Sequence, residues 1–152
     1  MTETKTTSGH TAGKNVWSDD EKAAMAAGAR ERKSAQKSAD ERAQGETDFR
    51  DSLAKMPAPD RSIAERLDTV VMKAVPDLYR KTYYGMPAYA RDGIALFWFK
   101  NAGKFKQRYG SLEFSDKAHL DDGAIWPVSY AVMELTPAAE SRIAEVVKRA
   151  AS

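Results

Sequence analysis

The chain contains no cysteine among its 152 residues. This absence excludes disulfide bonds, thiolate zinc sites, iron–sulfur clusters and a cysteine nucleophile. It is compatible with a reducing cytoplasm, where we expect the protein to be located. Histidine is scarce as well, with only His10 and His119 present, and neither a G-x-S-x-G elbow nor a phosphate-binding glycine loop occurs. The sequence therefore gives little support to nucleophilic catalysis, and we expect a protein that is not an enzyme.

Long apolar runs are also absent. No stretch approaches the roughly 20 residues that span a bilayer, and the polar N-terminus has no signal-peptide core. The 24 basic and 22 acidic residues leave a formal net charge of +2. Such a balance gives no strong attraction to nucleic acid or to an anionic membrane. We therefore expect no membrane association and regard nucleic acid as an unfavoured partner.

The first 45 residues hold few large apolar side chains, whereas every Phe, Tyr, Ile and Leu comes later. We predict a flexible, partly helical arm over residues 1–46, disordered to about residue 16, and a folded domain over residues 47–152. Ser18 and Glu21 have capping-box spacing and predict the start of a helix in the arm. That helix is either a partner-binding segment or a solvated helix, and its lack of an apolar face favours the second.

The period of the apolar residues changes at Pro76. Before it, helical spacing predicts one helix over residues 47–55 and a second over 60–75, with Asp60 as N-cap. The apolar stripe of the second helix consists of Ile63, Leu67, Val70, Val71 and Ala74. The polar side of this helix carries Asp60, Glu65 and Asp68, which we expect to be solvated.

After Pro76 the alternation of side chains predicts β-strands. Thr136 and Pro137 then mark the N-cap and first residue of a last helix. Short connections between the strands predict a small, mainly antiparallel sheet with helices packed on one face, an α+β fold. The predicted strands cover residues 78–84, 94–100, 105–114 and 130–135.

The stretch YYGMPAYARDG places three tyrosines around a glycine and a proline. Gly85 permits positive φ, and Pro87 removes a hydrogen-bond donor, so we predict a bend or bulge at a sheet end. Asp92 and Gly93 predict the following turn. The tyrosines are either strand residues with solvent-exposed hydroxyls or part of a pocket. In the first case, removing a hydroxyl would change the stability of the fold little. The hypothesis of a semi-apolar ligand pocket at the bend involves Tyr84, Gly85, Met86, Pro87, Tyr89, Trp98 and Trp126.

A small acidic group with one histidine is the best local candidate for a metal site. It consists of Asp116, His119, Asp121 and Asp122. One turn of helix after Ser115 would bring Asp116 and His119 onto the same face, and oxygen and imidazole ligands suit iron. The alternative is structural, with Asp116 as a cap and the later acids in a turn before Gly123. That alternative is the more frequent use of such residues.

Cations and aromatic rings alternate in KFKQRY, residues 104–109. A surface of this kind can bind nucleic acid through phosphate contacts and base stacking. If the segment is a strand, however, alternation puts Phe105 and Tyr109 on the face opposite the cations. We then expect the rings in the core and the cations on a solvated face.

Three stretches, KTYYGMPAYARDG, KFKQRYGSLEF and LDDGAIWPVSYAVMELT, resemble the YdhG-like family of small bacterial domains of unknown function. The resemblance covers roughly residues 47–150 and implies an α+β fold with a small antiparallel sheet. Some members are described as frataxin-like intracellular iron chaperones, so the resemblance implies iron as an alternative cargo. No agreed catalytic residues accompany it. We expect a binding or chaperone-type domain with a small molecule or a protein as partner.

Overall fold

The computed structural model describes residues 16–152, and the described part of the chain divides into two compact units that meet between Lys37 and Ser38 along the chain. Helix α1 spans Asp19–Ala54 and contributes to both units. The amide of Glu21 donates to Ser18 Oγ at 3.1 Å, which confirms the predicted N-cap. The predicted disorder to about residue 16 concerns a segment of which only Val16 is described. The second unit begins at Ser38, before the domain start predicted at residue 47.

The second unit is an antiparallel sheet with helices, so the predicted α+β fold is confirmed. Five strands follow one another in space in their order along the chain, each antiparallel to its neighbour. The elements after α1 are α2 Ala58–Ala74, β1 Tyr79–Tyr83, β2 Met86–Arg91, β3 Ile94–Lys100, β4 Gly110–Phe114, β5 Ser129–Val132 and α3 Pro137–Ala150. Thr136 caps α3 by accepting a hydrogen bond from the amide of Ala139 at 3.2 Å, as the sequence predicts.

The sheet has one face toward the core. Tyr89 pairs with Phe97, and Phe97 with Phe114, so these three side chains share that face. The same buried cluster contains residues of all three helices, Phe49 of α1, Leu67 and Val71 of α2, and Ile143, Val146 and Val147 of α3. We call the opposite side the open face, and Trp98 and Glu113 lie there because they are sequence neighbours of Phe97 and Phe114.

Helix α1 continues through Gly45, although the sequence predicts separate helices on either side of this region. Gly45 is buried, and a β-carbon on it would lie 2.7 Å from the carbonyl oxygen of Arg80. The glycine therefore lets the helix approach β1 closely, which offsets the usual cost of glycine inside a helix.

Two tight turns connect the first three strands. Tyr84 and Gly85 have φ of 48° and 78°, and Asp92 and Gly93 have φ of 53° and 80°. Positive φ at both central residues is the geometry of a type I′ hairpin turn. The predicted turn at Asp92 and Gly93 is thus present, and Gly85 adopts the positive φ that the sequence permits.

The predicted bend does not extend beyond Gly85, because strand β2 begins at Met86. Pro87 lies inside this strand opposite Thr82. Pairing with β3 begins only at Ala88, so the missing N–H of Pro87 interrupts no hydrogen bond of that ladder. The only irregularity of the β2–β3 pairing is a register shift between Tyr89 and Ala90.

Three further local predictions are wrong. Residues 105–109 are not part of a strand, because β4 begins at Gly110. No helix directly follows Ser115, because residues 116–118 form only a turn, in which the Ser115 hydroxyl accepts a hydrogen bond from the amide of Lys117 at 3.1 Å. Asp60 is not an N-cap, because α2 begins at Ala58 and Asp60 lies within its first turn.

Candidate functional site

The residues predicted to form one semi-apolar pocket do not lie together. Tyr89 is 1% exposed and faces the core, whereas Tyr84 at the turn is 84% exposed. Trp98 lies on the open face, because Tyr89 pairs with its neighbour Phe97. Trp126 packs against the core cluster from the segment before β5. A single concavity therefore cannot contain all of these rings. Gly85 alone of the seven lines the cleft beside the turn described below, while Met86 and Pro87 begin β2.

The buried hydroxyl of Tyr89 belongs to a charged network. It donates to Asp68 Oδ1 at 2.9 Å, and Arg80 binds the same carboxylate through Nε at 2.8 Å and Nη2 at 2.9 Å. Arg80 Nη1 also reaches both oxygens of Glu46 at 3.3 Å. The hydrogen bonds to Asp68 raise the pKa of Arg80, and burial beside Asp68 raises the pKa of Tyr89 well above its usual range. The network connects α1, α2, β1 and β2.

Asp68 is thus not the solvated side chain that the sequence predicts. Its position contains a signal that could have corrected the prediction, because Asp68 is four residues after Ala64 and three before Val71, both buried. An acid within the buried stripe of a helix needs a partner. Arg80 supplies it from the core-facing side of β1, opposite Tyr89.

Three aromatic rings follow one another from the open face to the hairpin turn. The ring of Tyr83 stacks on Trp98 with centroids 4.1 Å apart and planes at 26°. Tyr84 packs edge-on against Tyr83 at 4.7 Å. The indole Nε1 of Trp98 donates to Glu113 Oε2 at 3.0 Å, which fixes the orientation of the stack. We call Tyr83, Tyr84 and Trp98 the aromatic stack.

A loop with four cations lies beside the stack. Residues 101–109 connect β3 to β4, and we call this segment, with Lys100 before it, the basic loop. Asp60 Oδ2 accepts hydrogen bonds from the amide of Gly103 at 2.8 Å and from the side chain of Asn101 at 2.9 Å. These bonds fix the start of the loop. Its cations are Lys100, Lys104, Lys106 and Arg108, and no acidic residue interrupts them.

The basic loop reaches the hairpin turn through Lys104. Its Nζ lies 3.3 Å from the position that a β-carbon would take on Gly85. Lys100 Nζ and Lys104 Nζ lie 4.7 and 5.6 Å from the ring centroid of Phe105, and the guanidinium of Arg108 lies 5.1 Å from that of Tyr109. Cations and rings therefore share one surface, contrary to the separation that strand alternation predicts.

Two strained residues belong to this surface. Three non-glycine residues between 16 and 152 have positive φ, namely Tyr84, Asp92 and Lys106. Aspartate adopts this conformation readily, but tyrosine and lysine do so rarely. Strained backbone of this kind occurs preferentially at binding sites. The two unusual examples lie in the aromatic stack and in the basic loop.

Several concavities border the sheet of the second unit. One of about 540 Å³ lies beside the turn, and one of about 290 Å³ lies between β5 and α3. The first is lined by Asp48, Asp51, Ser52, Lys55, Met56, Pro57, Thr82, Gly85, Asn101, Gly103 and Lys104. The second is mainly apolar, with residues such as Leu112, Leu135 and Ile143, and carries Arg142 and Glu134. The turn-side cleft and the aromatic stack meet at Gly85.

The four residues predicted as a metal site do not form a cluster. Within residues 16–152 no group of three or more His, Asp or Glu side chains is close enough to hold a metal ion. His119 instead contacts the carbonyl of Ser152 through Nδ1. Asp116 follows Ser115 in the turn described above, and Asp121 and Asp122 are exposed before Gly123. The absence of a helix there removes the shared face on which the prediction depended.

Comparisons with known proteins give no relative. No protein-family profile, curated protein or solved structure matches the chain. The likeness to the YdhG-like family accordingly stays a prediction from the sequence. Among the residues described, no helix is both long and apolar enough to cross a bilayer.

Proposed function

We propose that the second unit is a non-enzymatic binding domain that holds an anionic ligand on the surface formed by the basic loop and the aromatic stack. The observation that carries the proposal is the position of Lys104, whose Nζ lies beside Gly85 of the hairpin turn. One cation of the basic loop therefore lies beside the turn that carries the exposed ring of Tyr84. The ligand site predicted at the bend is retained in position but changed in character, from a semi-apolar pocket to a basic and aromatic surface.

The charges of the basic loop are available to a ligand. In the described part of the chain, none of Lys100, Lys104, Lys106 and Arg108 has a carboxylate at ion-pair distance. Cations paired with acids lose much of their attraction for a ligand, whereas unpaired cations that lie close together add their fields. Asp60 is near the loop, but its carboxylate accepts hydrogen bonds from Asn101 and Gly103 and, within residues 16–152, forms no ion pair with the four cations.

The rings supply the second kind of contact. Tyr84 is almost fully exposed, and Phe105 is partly exposed beside two lysines. Exposed rings held by neighbouring rings present a flat face without losing side-chain entropy when a ligand binds. A ligand with a planar group and a negative charge uses both parts of the surface.

An NMR titration with adenosine 5′-triphosphate, a planar polyanion, tests the proposal. We expect amide shifts at Gly85, Lys104 and Phe105, and a Lys104→Glu variant that binds more weakly. Lys117→Glu is the matched control, because it makes the same change of charge at an exposed residue outside this surface. Shifts confined to the cleft between β5 and α3, or equal weakening by both variants, would contradict the proposal.

Iron carriage remains the alternative that the sequence resemblance implies. Nothing in the geometry favours it, and we assign no ligand set to it. A calorimetric titration with ferrous ion compares the two functions directly. Micromolar binding that Asp121→Asn and Asp122→Asn together abolish would favour iron over the anionic ligand. The cytoplasmic location stays a prediction from the sequence.

A further inference from the structure

We infer that the anionic ligand is single-stranded nucleic acid, with unpaired bases on the exposed rings and phosphates on the basic loop. This inference rests on the proposed function and names the class of its ligand. Proteins that bind single strands combine a cationic path for the backbone with aromatic side chains on which successive bases stack. Both elements are present around the first hairpin.

The structure removes the reason for disfavouring nucleic acid. In a strand over residues 105–109, alternation would direct Phe105 away from the cations. These residues form a loop instead, and the ring centroid of Phe105 lies 4.7 Å from Lys100 Nζ. The net charge of the whole chain is only +2, but the charge of the segment from 100 to 108 is +4 because it has four cations and no acid.

The exposure of the rings favours single strands over duplexes. Tyr84 is 84% exposed at the end of a two-residue turn, with its ring held edge-on by Tyr83. A ring in this position can stack on a base only if that base is unpaired, because the faces of paired bases are covered by their neighbours in the duplex. Duplexes therefore gain only the phosphate contacts.

The aromatic stack extends across the open face of the sheet. Tyr83 on β1 and Trp98 on β3 stack over the intervening strand, where Ala88 is the residue opposite Trp98. The small side chain of Ala88 leaves room for this contact between rings two strands apart. Because the two rings hold each other in place before a ligand binds, the entropy cost of binding is lower.

Fluorescence anisotropy of the full chain tests the inference with labelled oligothymidylate and oligouridylate of about 12 nucleotides, within the range that single-strand binding domains cover. Unlabelled heparin and a duplex of equal length are the competitors. We expect both single strands to bind more tightly than the duplex and than heparin. The slope of log affinity against log salt should be about −3, from about −0.7 for each of four phosphates. Oligodeoxyuridylate, which differs from oligouridylate only in lacking the 2′-hydroxyl, separates DNA from RNA as the source.

Tyr84→Asn is the decisive variant, because asparagine suits the backbone of a type I′ turn and only the ring is lost. We expect affinity for the single strands to fall about 5- to 150-fold, the effect of losing one base-stacking ring. Asp92→Asn, which places asparagine at the equivalent position of the second turn without removing a ring, should not weaken binding. Lys104→Glu should weaken binding and reduce the salt slope by at least about 0.7.

The outcomes distinguish an error in the choice of single-stranded nucleic acid from an error in the proposed binding of anions. If heparin or the duplex binds as tightly as the single strands, and Tyr84→Asn has no effect, the surface binds anions but not bases, and this inference is wrong. If adenosine 5′-triphosphate, heparin and the oligonucleotides all leave the amides of Gly85 and Lys104 unshifted, the proposed function itself is wrong.

Discussion

The buried hydroxyl of Tyr89 on β2 donates a hydrogen bond to Asp68 Oδ1 of helix α2 at 2.9 Å. The same carboxylate receives two hydrogen bonds from Arg80. The sequence suggested a solvent-exposed hydroxyl for Tyr89, but this hydroxyl is buried and joins the sheet to helix α2. The expectation that removing its hydroxyl would matter little is replaced by the first prediction.

Tyr89→Phe should lower the free energy of unfolding by about 2 kcal/mol, since a hydrogen bond to a charged group contributes about 1.5–3 kcal/mol. Urea denaturation followed by circular dichroism measures the loss. Tyr84→Phe is the matched control and should change stability by less than about 0.5 kcal/mol, because its hydroxyl is exposed. Equal effects of the two substitutions would contradict the assignment of Tyr89 to the network.

The raised pKa of Tyr89 predicts a loss of stability at alkaline pH. In the unfolded chain this tyrosine ionises near pH 10, while the folded protein keeps it protonated to higher pH. Its contribution is therefore complete below about pH 10 and decreases by up to about 1.4 kcal/mol per pH unit above it. Urea denaturation at pH 9, 10 and 11 should show the difference between the native chain and Tyr89→Phe becoming smaller. A constant difference would mean that Tyr89 ionises equally in both states.

Gly85→Ala should destabilise the protein by about 1–2 kcal/mol, the cost of a β-carbon at positive φ. Gly93→Ala is the comparison, because Gly93 has nearly the same φ and nothing within 4 Å of the added carbon. Lys104 Nζ lies near Gly85 but ends a flexible side chain and can move. Thermal unfolding should give similar losses for both variants. A much larger loss at Gly85 would show that Lys104 is held rigidly.

Gly45→Ala and Gly28→Ala should have opposite effects, although both glycines lie inside α1. Alanine is better than glycine in a helix by about 1 kcal/mol. At Gly28 the added carbon would meet only the end of the Arg32 side chain at 3.4 Å, so helicity measured by circular dichroism should increase. At Gly45 it would collide with the backbone of Arg80, so the midpoint of urea unfolding should decrease. Stabilisation by Gly45→Ala would show that helix and strand separate easily.

The sequence predicted those features that depend on neighbouring residues. Ser18 and Thr136 cap helices, and Asp92 with Gly93 forms a turn, because caps and turns are set by side chains and backbone preferences within about four residues. The spacing of apolar residues changes at Pro76 from the period of a helix to that of a strand, and this change indicated the α+β class. It is a local signal because each helix or strand has one buried face, which sets the spacing of its apolar residues. The element list differs in three places, because β2 was predicted as a bend, α1 continues where two helices were predicted, and the short helix after Ser115 is absent. The ends of β4 and α2 differ as well.

The candidate site depended on contacts between distant parts of the chain. Asp60 holds the basic loop by hydrogen bonds to residues more than 40 positions away in the sequence. Asp68 accepts hydrogen bonds from Arg80 and Tyr89 across the helix–sheet interface. Strand alternation predicted Phe105 in the core, but alternation has no meaning in a segment that is not paired with a strand. The sequence by itself determined the kinds of elements and their turns, because local sterics and periodicity encode them. Only the tertiary structure decided which charges are buried and which rings and cations share a surface, because those outcomes depend on which distant residues the packed elements bring together.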